Sequence, residues 1–174
     1  MEMWIWITSA VKEGGSMVGL CIRKIKSSEI PVLSNFLYEA IFIPDGVEPP
    51  PREIINQPEL QIYISNFGEF DNDICFVAEA DDRIVGACWV RIMNDYGHIN
   101  DETPSFAIAL YKEYRNQGIG TALMETMLRE LRERDYKQVS LSVQKANYAV
   151  KMYENVGFQI IDENEEEYIM SCDL

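Results

Sequence analysis

Leu110-Tyr111-Lys112-Glu113-Tyr114-Arg115-Asn116-Gln117-Gly118-Ile119-Gly120-Thr121-Ala122-Leu123 is the stretch on which the reading of this chain turns. Ahead of it, Ser105-Phe106-Ala107-Ile108-Ala109-Leu110 is a short apolar run of the length of a buried strand. Behind it, Ile119, Leu123, Met127 and Leu131 recur at helical spacing, and Glu125–Arg129 and Glu130–Arg134 form i,i+4 pairs on the expected outer face. A strand that turns through glycines into a helix leaves the first helical N–H groups without partners, at the positive end of the helix dipole. Such a turn can hold phosphate oxygens with main chain alone. At Gly118 and Gly120 a Cβ would stand in the way of a ligand approaching that backbone. The spacing is neither G-x-x-x-x-G-K-[ST] nor G-x-G-x-x-G, which argues against a P-loop nucleotidase and a Rossmann dinucleotide site.

Downstream, Val139-Ser140-Leu141-Ser142-Val143 alternates as a strand. Asn147 then fits a helix N-cap, Ala149, Tyr153 and Val156 share a face, and Gly157 fits the stop. Phe158-Gln159-Ile160-Ile161 and Tyr168-Ile169-Met170 form a closing hairpin around a solvated acidic loop, 162–167. Upstream, Leu20-Cys21-Ile22-Arg23-Lys24-Ile25 predicts a strand. A helix follows, opening at Ser27-Ser28-Glu29, with Ile30, Leu33, Phe36, Leu37, Ala40 and Ile41 on one face. Pro44, Asp45-Gly46 and Pro49-Pro50-Pro51 end it, and a second helix covers 52–65, with Pro58 placed to kink or divide it. Residues 74–80 and 83–92, joined by Asp81-Asp82, read as a β-hairpin, and 94–104 is a polar segment.

The whole chain has 174 residues, fitting one domain. Apolar residues make up 47% and charged residues 25%, the balance of a globular domain rather than a disordered tail. Fifteen Lys and Arg against 29 Asp and Glu leave a net charge of −14, which repels polyphosphate and argues against a nucleic-acid-coating role. No apolar run approaches the roughly 20 residues of a membrane span, so no membrane partner is expected. Cys21, Cys75, Cys88 and Cys172 form no C-x-x-C pair, and His98 is the single histidine. No metal site is therefore expected, and reduced buried thiols point to a cytoplasmic protein. Residues 1–16 stand apart from 17–174. They are either an extension upstream of a start at Met17 or an extra edge strand or interface segment. They lack the basic start of a signal peptide, and Trp4 and Trp6, if exposed, would favour a homodimer.

Over roughly residues 20–172 the sequence resembles the GNAT superfamily of acyl-CoA-dependent N-acetyltransferases. Arg115-Asn116-Gln117-Gly118-Ile119-Gly120 is similar to its [RQ]-x-x-G-x-[GA] pyrophosphate loop. Leu141-Ser142-Val143, Asn147, Ala149 and Met152-Tyr153-Glu154-Asn155-Val156-Gly157-Phe158 are similar to its second acyl-CoA motif. The resemblance implies an α/β fold with a mixed, mostly antiparallel central sheet flanked by helices. That sheet would splay between its fourth and fifth strands (105–110 and 139–143), with the pantetheine arm in the gap. It implies acetyl-CoA as cosubstrate and acetyl transfer to a primary amine by direct attack in a ternary complex. The alternative is an acyl-CoA-binding regulatory module with little turnover.

Position by position, the resemblance gives Arg115, Asn116, Gln117, Gly118, Ile119, Gly120 and Thr121 to the pyrophosphate. Ile108 and Leu110 go to the pantetheine amides through their main chains, Asn147 to the pantetheine region, and Tyr153 to the thioester sulfur as general acid. A tyrosine of pKa about 10 protonating a thiolate of about 8.5 works uphill by ~2 kcal/mol, a gap that a dry site narrows by raising the thiolate. Many relatives carry a glutamate at the start of the fourth strand as base, where this chain has Ser105. Asp101, Glu102 and His98 lie nearby, and the base stays unassigned. Tyr38, Glu39, Phe42, Asp45, Glu48, Asp101 and Glu102 would suit a cationic acceptor.

Overall fold

The computed structural model describes residues 5–6 and 19–174. Its strands are β1 (Ile5–Trp6), β2 (Leu20–Lys24), β3 (Ile74–Ala80), β4 (Arg83–Arg91), β5 (Ser105–Leu110), β6 (Gln138–Gln144), β7 (Gln159–Glu163) and β8 (Glu167–Asp173). They form one sheet in the order β1-β2-β3-β4-β5-β6-β8-β7. Every neighbouring pair is antiparallel except β5 and β6, which run parallel. Apart from Ile5–Trp6, which pair with Ile22 and Cys21, the expected extension 1–16 lies outside the described residues.

Alternation along the strands builds two cores. Phe76, Cys88, Val90, Phe106, Val139, Leu141 and Met170 face α3 (Ile119–Glu133) and α4 (Ala149–Asn155). Cys75, Val77, Ala87, Trp89 and Ala109 face the other way, toward α1 (Leu33–Glu39) and the segment around α2 (Pro58–Gln61). Ser105, Ser140 and Ser142 share the side of Ala107 and Ala109 by the two-residue period of a strand. The sheet therefore has a nearly all-apolar face under α3 and a face with a small polar island on the other.

Proline shortened the expected helices. Residues 27–32 wind as a 3₁₀ turn containing Pro31, and only Leu33–Glu39 are α-helical. The second helix is divided: 52–56 is 3₁₀, Gln57 is extended (φ −65°, ψ 140°), and α2 begins at Pro58. Proline lacks the N–H that would continue a helix and pushes the residue before it out of the α region. The outer-face pairing on α3 also needs correction. Glu130 is buried and bonded to Lys24 Nζ of β2 at 2.7 Å as well as to Arg134 Nε at 2.8 Å, and Glu125–Arg129 is not among the ion pairs of the described residues. All four cysteines are buried and unpaired. Among the described residues no helix is long and apolar enough to cross a membrane, and no group of three metal-ligating side chains converges.

Candidate active site

The turn between β5 and α3 opens the site. Asn116 and Gly118 both have positive φ (58° and 79°), which swings the chain so that Gly118 becomes the N-cap of α3. A glycine takes that conformation without cost, and a Cβ built there meets nothing within 4 Å, so φ and not crowding is what asks for glycine. At Gly120 the demand is different from the one expected: a Cβ there would stand 3.2 Å from Met152 Sδ and 3.4 Å from Leu110 Cδ1, so packing requires its smallness. The first bond into the helix runs from Ala122 N–H to Gly118 O at 3.1 Å. Among the described residues, the five N–H groups from Gln117 to Thr121 have no backbone acceptor.

Arg115 leads into this turn but is already engaged. Its Nε donates to Leu110 O (3.0 Å), and its Nη2 pairs with Glu39 Oε2 of α1 (3.0 Å). Of the other candidates on α1, Tyr38 spends its hydroxyl on Pro50 O (2.7 Å).

Beside the turn the sheet splits. β5 and β6 meet at a single register pair, Ser105 with Ser140, where Ser140 N–H donates to Pro104 O at 3.0 Å. Farther along they part. Alternation turns the main-chain groups of Phe106, Ile108 and Leu110 the same way as Pro104 O, into the gap. Leu110 O is taken by Arg115 Nε, so the Ile108 N–H and C=O and the Leu110 N–H are the groups of this edge that can accept an extended amide-bearing chain as they would a neighbouring strand. A cavity of about 340 Å³ lies elsewhere: Thr103, Arg134, Tyr136 and Lys137 line it at the far end of α3.

Tyr153 and Asp95 stand on opposite faces at the foot of this gap. On the α4 side, Tyr153 packs tilted against Phe158 (5.9 Å between centroids, 60° between planes), which packs edge-on against Phe106 of β5 (5.8 Å). Burial, helped by neighbouring Cys88 and Tyr148, pushes its phenol well above the ordinary value. Tyr153 is 9% exposed, and among the described residues its hydroxyl has no hydrogen-bond partner. Asn147, expected as the N-cap of α4, lies one residue before the N-cap Tyr148, and its Oδ1 accepts from Ala149 N–H at 2.9 Å. On the other face, Ser105 Oγ donates to Asp95 Oδ1 at 2.6 Å, and Tyr63 donates to Asp95 Oδ2 at 2.7 Å. His98 is turned away: its Nδ1 lies 2.9 Å from Met93 O, and its Nε2 is 3.6 Å from the exposed Asp101.

A family profile described as Acetyltransferase (GNAT) family matches residues 40–158, which take in the split, the turn and Tyr153. The chain belongs to the GNAT acetyltransferase family. Among curated relatives, the probable N-acetyltransferase camello of Xenopus laevis is 33% identical over 107 residues, covering 59% of this chain and 47% of that one. An N-alpha-acetyltransferase of Saccharolobus solfataricus is 30% identical over 116 residues, covering 57% and 68%. The matched chain thus spans between about half and two thirds of these relatives' lengths. Among solved structures, PaiA N-acetyltransferase from Thermoplasma acidophilum, in complex with coenzyme A, superimposes with a TM-score of 0.67 at 18% identity, over 89% of this chain and 99% of that one.

The GNAT fold explains which residues the sequence brought into view. The parallel β5–β6 pair, the turn and α4 came from motifs on consecutive elements, and they converge on one gap. Asp95 came from the polar run 94–104, and Tyr63 from the end of the expected helix 52–65, which carries no α-helix beyond Gln61. A polar residue in a loop carries no signal until the loop folds back on a strand, here through Ser105.

Proposed function

We propose that this GNAT chain transfers the acetyl group of acetyl-CoA to a primary amine, the α-amine at a peptide or protein N-terminus, by direct attack in a ternary complex. The observation that carries the reading is the run of five unpartnered N–H groups, Gln117 to Thr121, at the head of a 15-residue helix beside the split of β5 from β6. Main-chain donors at a helix start hold a pyrophosphate without cationic side chains, which a chain of net charge −14 has few of to spare. In this reading Arg115 braces the turn through Leu110 O and Glu39, while Asn116 sets its left-handed corner. Ile108 and Leu110 pair with the pantetheine amides in the gap, Asn147 offers its free amide donors, and Tyr153 protonates the departing sulfur. The raised Tyr153 phenol stays protonated through neutral pH, the state a general acid needs.

The acceptor follows from pKa arithmetic and from the relatives. An α-amine of pKa about 7.7–8.0 gives up its proton at pH 7 for about 1 kcal/mol, against ~4.6 kcal/mol for a lysine amine of about 10.4. A site free of strong bases favours the former, and the Saccharolobus relative is named for that position. The test is free-thiol release from acetyl-CoA with the full chain, using short peptides of varied first residue, the same peptides blocked at the N-terminus, and lysine-bearing and polyamine controls. Turnover with free N-termini and none with blocked ones supports the proposal. Turnover with polyamines alone overturns the acceptor, and coenzyme A binding without any turnover supports an acyl-CoA-binding module instead.

A further inference from the structure

The polar island beneath the split is built from five segments. Asp95 lies in the loop after β4, half-buried, and both carboxylate oxygens are held: Oδ1 by Ser105 Oγ of β5 at 2.6 Å and Oδ2 by the Tyr63 hydroxyl at 2.7 Å. Tyr63 is fixed in turn, since its carbonyl accepts from Trp89 Nε1 of β4 at 3.1 Å. The loop is pressed onto β6: Ser140 Oγ donates to Gly97 O at 2.6 Å, and a Cβ on Gly97 would stand 2.9 Å from the main chain of Leu141 and Ser142. Burial, then Asp95 and Glu167 of β8, push the Tyr63 phenol up, and Ser142 of β6 opposes them. The carboxylate therefore sits at the one point where β5 still touches β6, on the sheet face opposite Tyr153.

A half-buried carboxylate fixed by donors from two other segments, with no cation paired to it among the described residues, has an orientation but no structural ion partner. Each of its oxygens keeps a lone pair for a further proton. We propose that Asp95 accepts the proton of the attacking nitrogen, with Ser105 and Tyr63 as the positioning residues that aim it into the split. The proposal rests on the acetyl-transfer reading above. A carboxylate is too weak a base to strip a free alkylammonium, but it does not have to. As the nitrogen lone pair enters the new C–N bond, the nitrogen becomes strongly acidic, and a fixed carboxylate then receives its proton readily. The C–N bond forms, the C–S bond breaks, the N–H proton passes to Asp95, and the sulfur takes the proton of Tyr153. Proton return from Asp95 to the Tyr153 phenolate through solvent restores both groups, so one N–H has been exchanged for one S–H.

The groups facing Asp95 set the test. They are Tyr63 from the segment after α2 and Ser105 from β5, with Ser142 of β6 and Glu167 of β8 acting on Tyr63, while His98 and Asp101 of its own loop turn away from it. Glu167 is the rival titrating group, because burial and then Glu166 push its carboxyl upward. The experiment measures kcat against pH for full-length wild type, Asp95→Asn, Ser105→Ala and Glu167→Gln, with an alanine-initiated hexapeptide as acceptor and calorimetry for coenzyme A. The expected result is a fall of ~10²-fold or more in kcat for Asp95→Asn, with loss of the acid limb and coenzyme A affinity within twofold of wild type. Ser105→Ala removes a donor that favours the ionised carboxylate, so its acid limb moves to higher pH while activity persists. Glu167→Gln keeps the limb. Asp95→Asn turnover within threefold of wild type, or a lowered rate with the acid limb unmoved, overturns the proposal. If Asp95→Asn does not fold, an unshifted limb in Ser105→Ala overturns it. Wild type that binds coenzyme A but releases no thiol with any amine sinks the acetyl-transfer reading itself, a different outcome from an active Asp95→Asn.

Discussion

At Tyr153 a single oxygen separates packing from chemistry. Its ring packs against Phe158 in the core, while its hydroxyl has no hydrogen-bond partner among the described residues. Tyr153→Phe should therefore change the unfolding free energy by less than about 1 kcal/mol, since no protein hydrogen bond is lost, yet lower kcat by ~10²-fold at unchanged coenzyme A affinity. Denaturation curves and thiol-release kinetics on the same preparation separate the two effects, and equal kcat removes Tyr153 from the reaction. The pH sign follows from the upward shift: folding holds the phenol neutral, so its contribution is intact below about pH 10 and fades as pH rises through the folded value. Gly118 makes a second residue-scale case. With φ at 79° and open space around a built Cβ, Gly118→Ala suffers backbone strain alone, about 1–2 kcal/mol. Thermal melts should register that loss, and coenzyme A titrations should weaken with it if the turn must hold its corner to bind. The places of both residues in the chain were legible because each sits in a motif with a fixed spacing, and the role of Tyr153 is what the kinetics test. Asp95 was not, because nothing in the polar run 94–104 announces that it will reach Ser105.

Elements were legible where periodicity ruled and illegible where proline or charge overrode it. The hairpin of β3 and β4 follows from apolar runs and the turn between them, and the mixed sheet split beside β5 follows from the family resemblance, whereas Pro31 and Pro58 shortened the two expected helices to seven and four α-helical residues. No pattern marked Arg23, an arginine inside an apolar strand and only 6% exposed. It ties three elements together: its guanidinium forks onto Glu29 of the 3₁₀ turn, with both bonds at 2.8 Å, and also binds Glu79 of β3. Removing one partner of a buried ion cluster strands the others in low dielectric, which costs about 3–5 kcal/mol. Arg23→Met should lose stability of that order in urea titrations. A loss below about 1 kcal/mol would mean that the cluster is solvated and adds little. The dependence on acidity has a definite sign. The Arg23 hydrogen bond holds the Glu29 carboxyl below its usual value, so the stabilisation is present at neutral pH and disappears as pH falls through the folded value. The gap between wild type and Arg23→Met should therefore close in acid and not widen.

Across the whole molecule, the net charge of −14 sets two substrates against each other. In the proposed reading coenzyme A, a polyanion, approaches a negative surface and is held at the end by amides that carry no net charge. A peptide amine approaches the same surface as a cation and is drawn in. Salt shortens the reach of the field from roughly 30 Å at 10 mM to about 8 Å at 150 mM. Over that range coenzyme A binding should tighten, by on the order of threefold, because repulsion is screened while short main-chain contacts are largely spared. The KM for a protonated N-terminal peptide should move the opposite way, by a similar factor. Calorimetry at two salt concentrations and steady-state kinetics over the same interval provide both numbers. A site built from lysine and arginine side chains would give the reverse for coenzyme A, with affinity dropping steeply as salt rises. Such a drop here would mean that cationic side chains, and not the backbone between Gln117 and Thr121, carry the phosphates. The sign of one salt dependence thus decides whether local geometry overcomes the field of the entire protein.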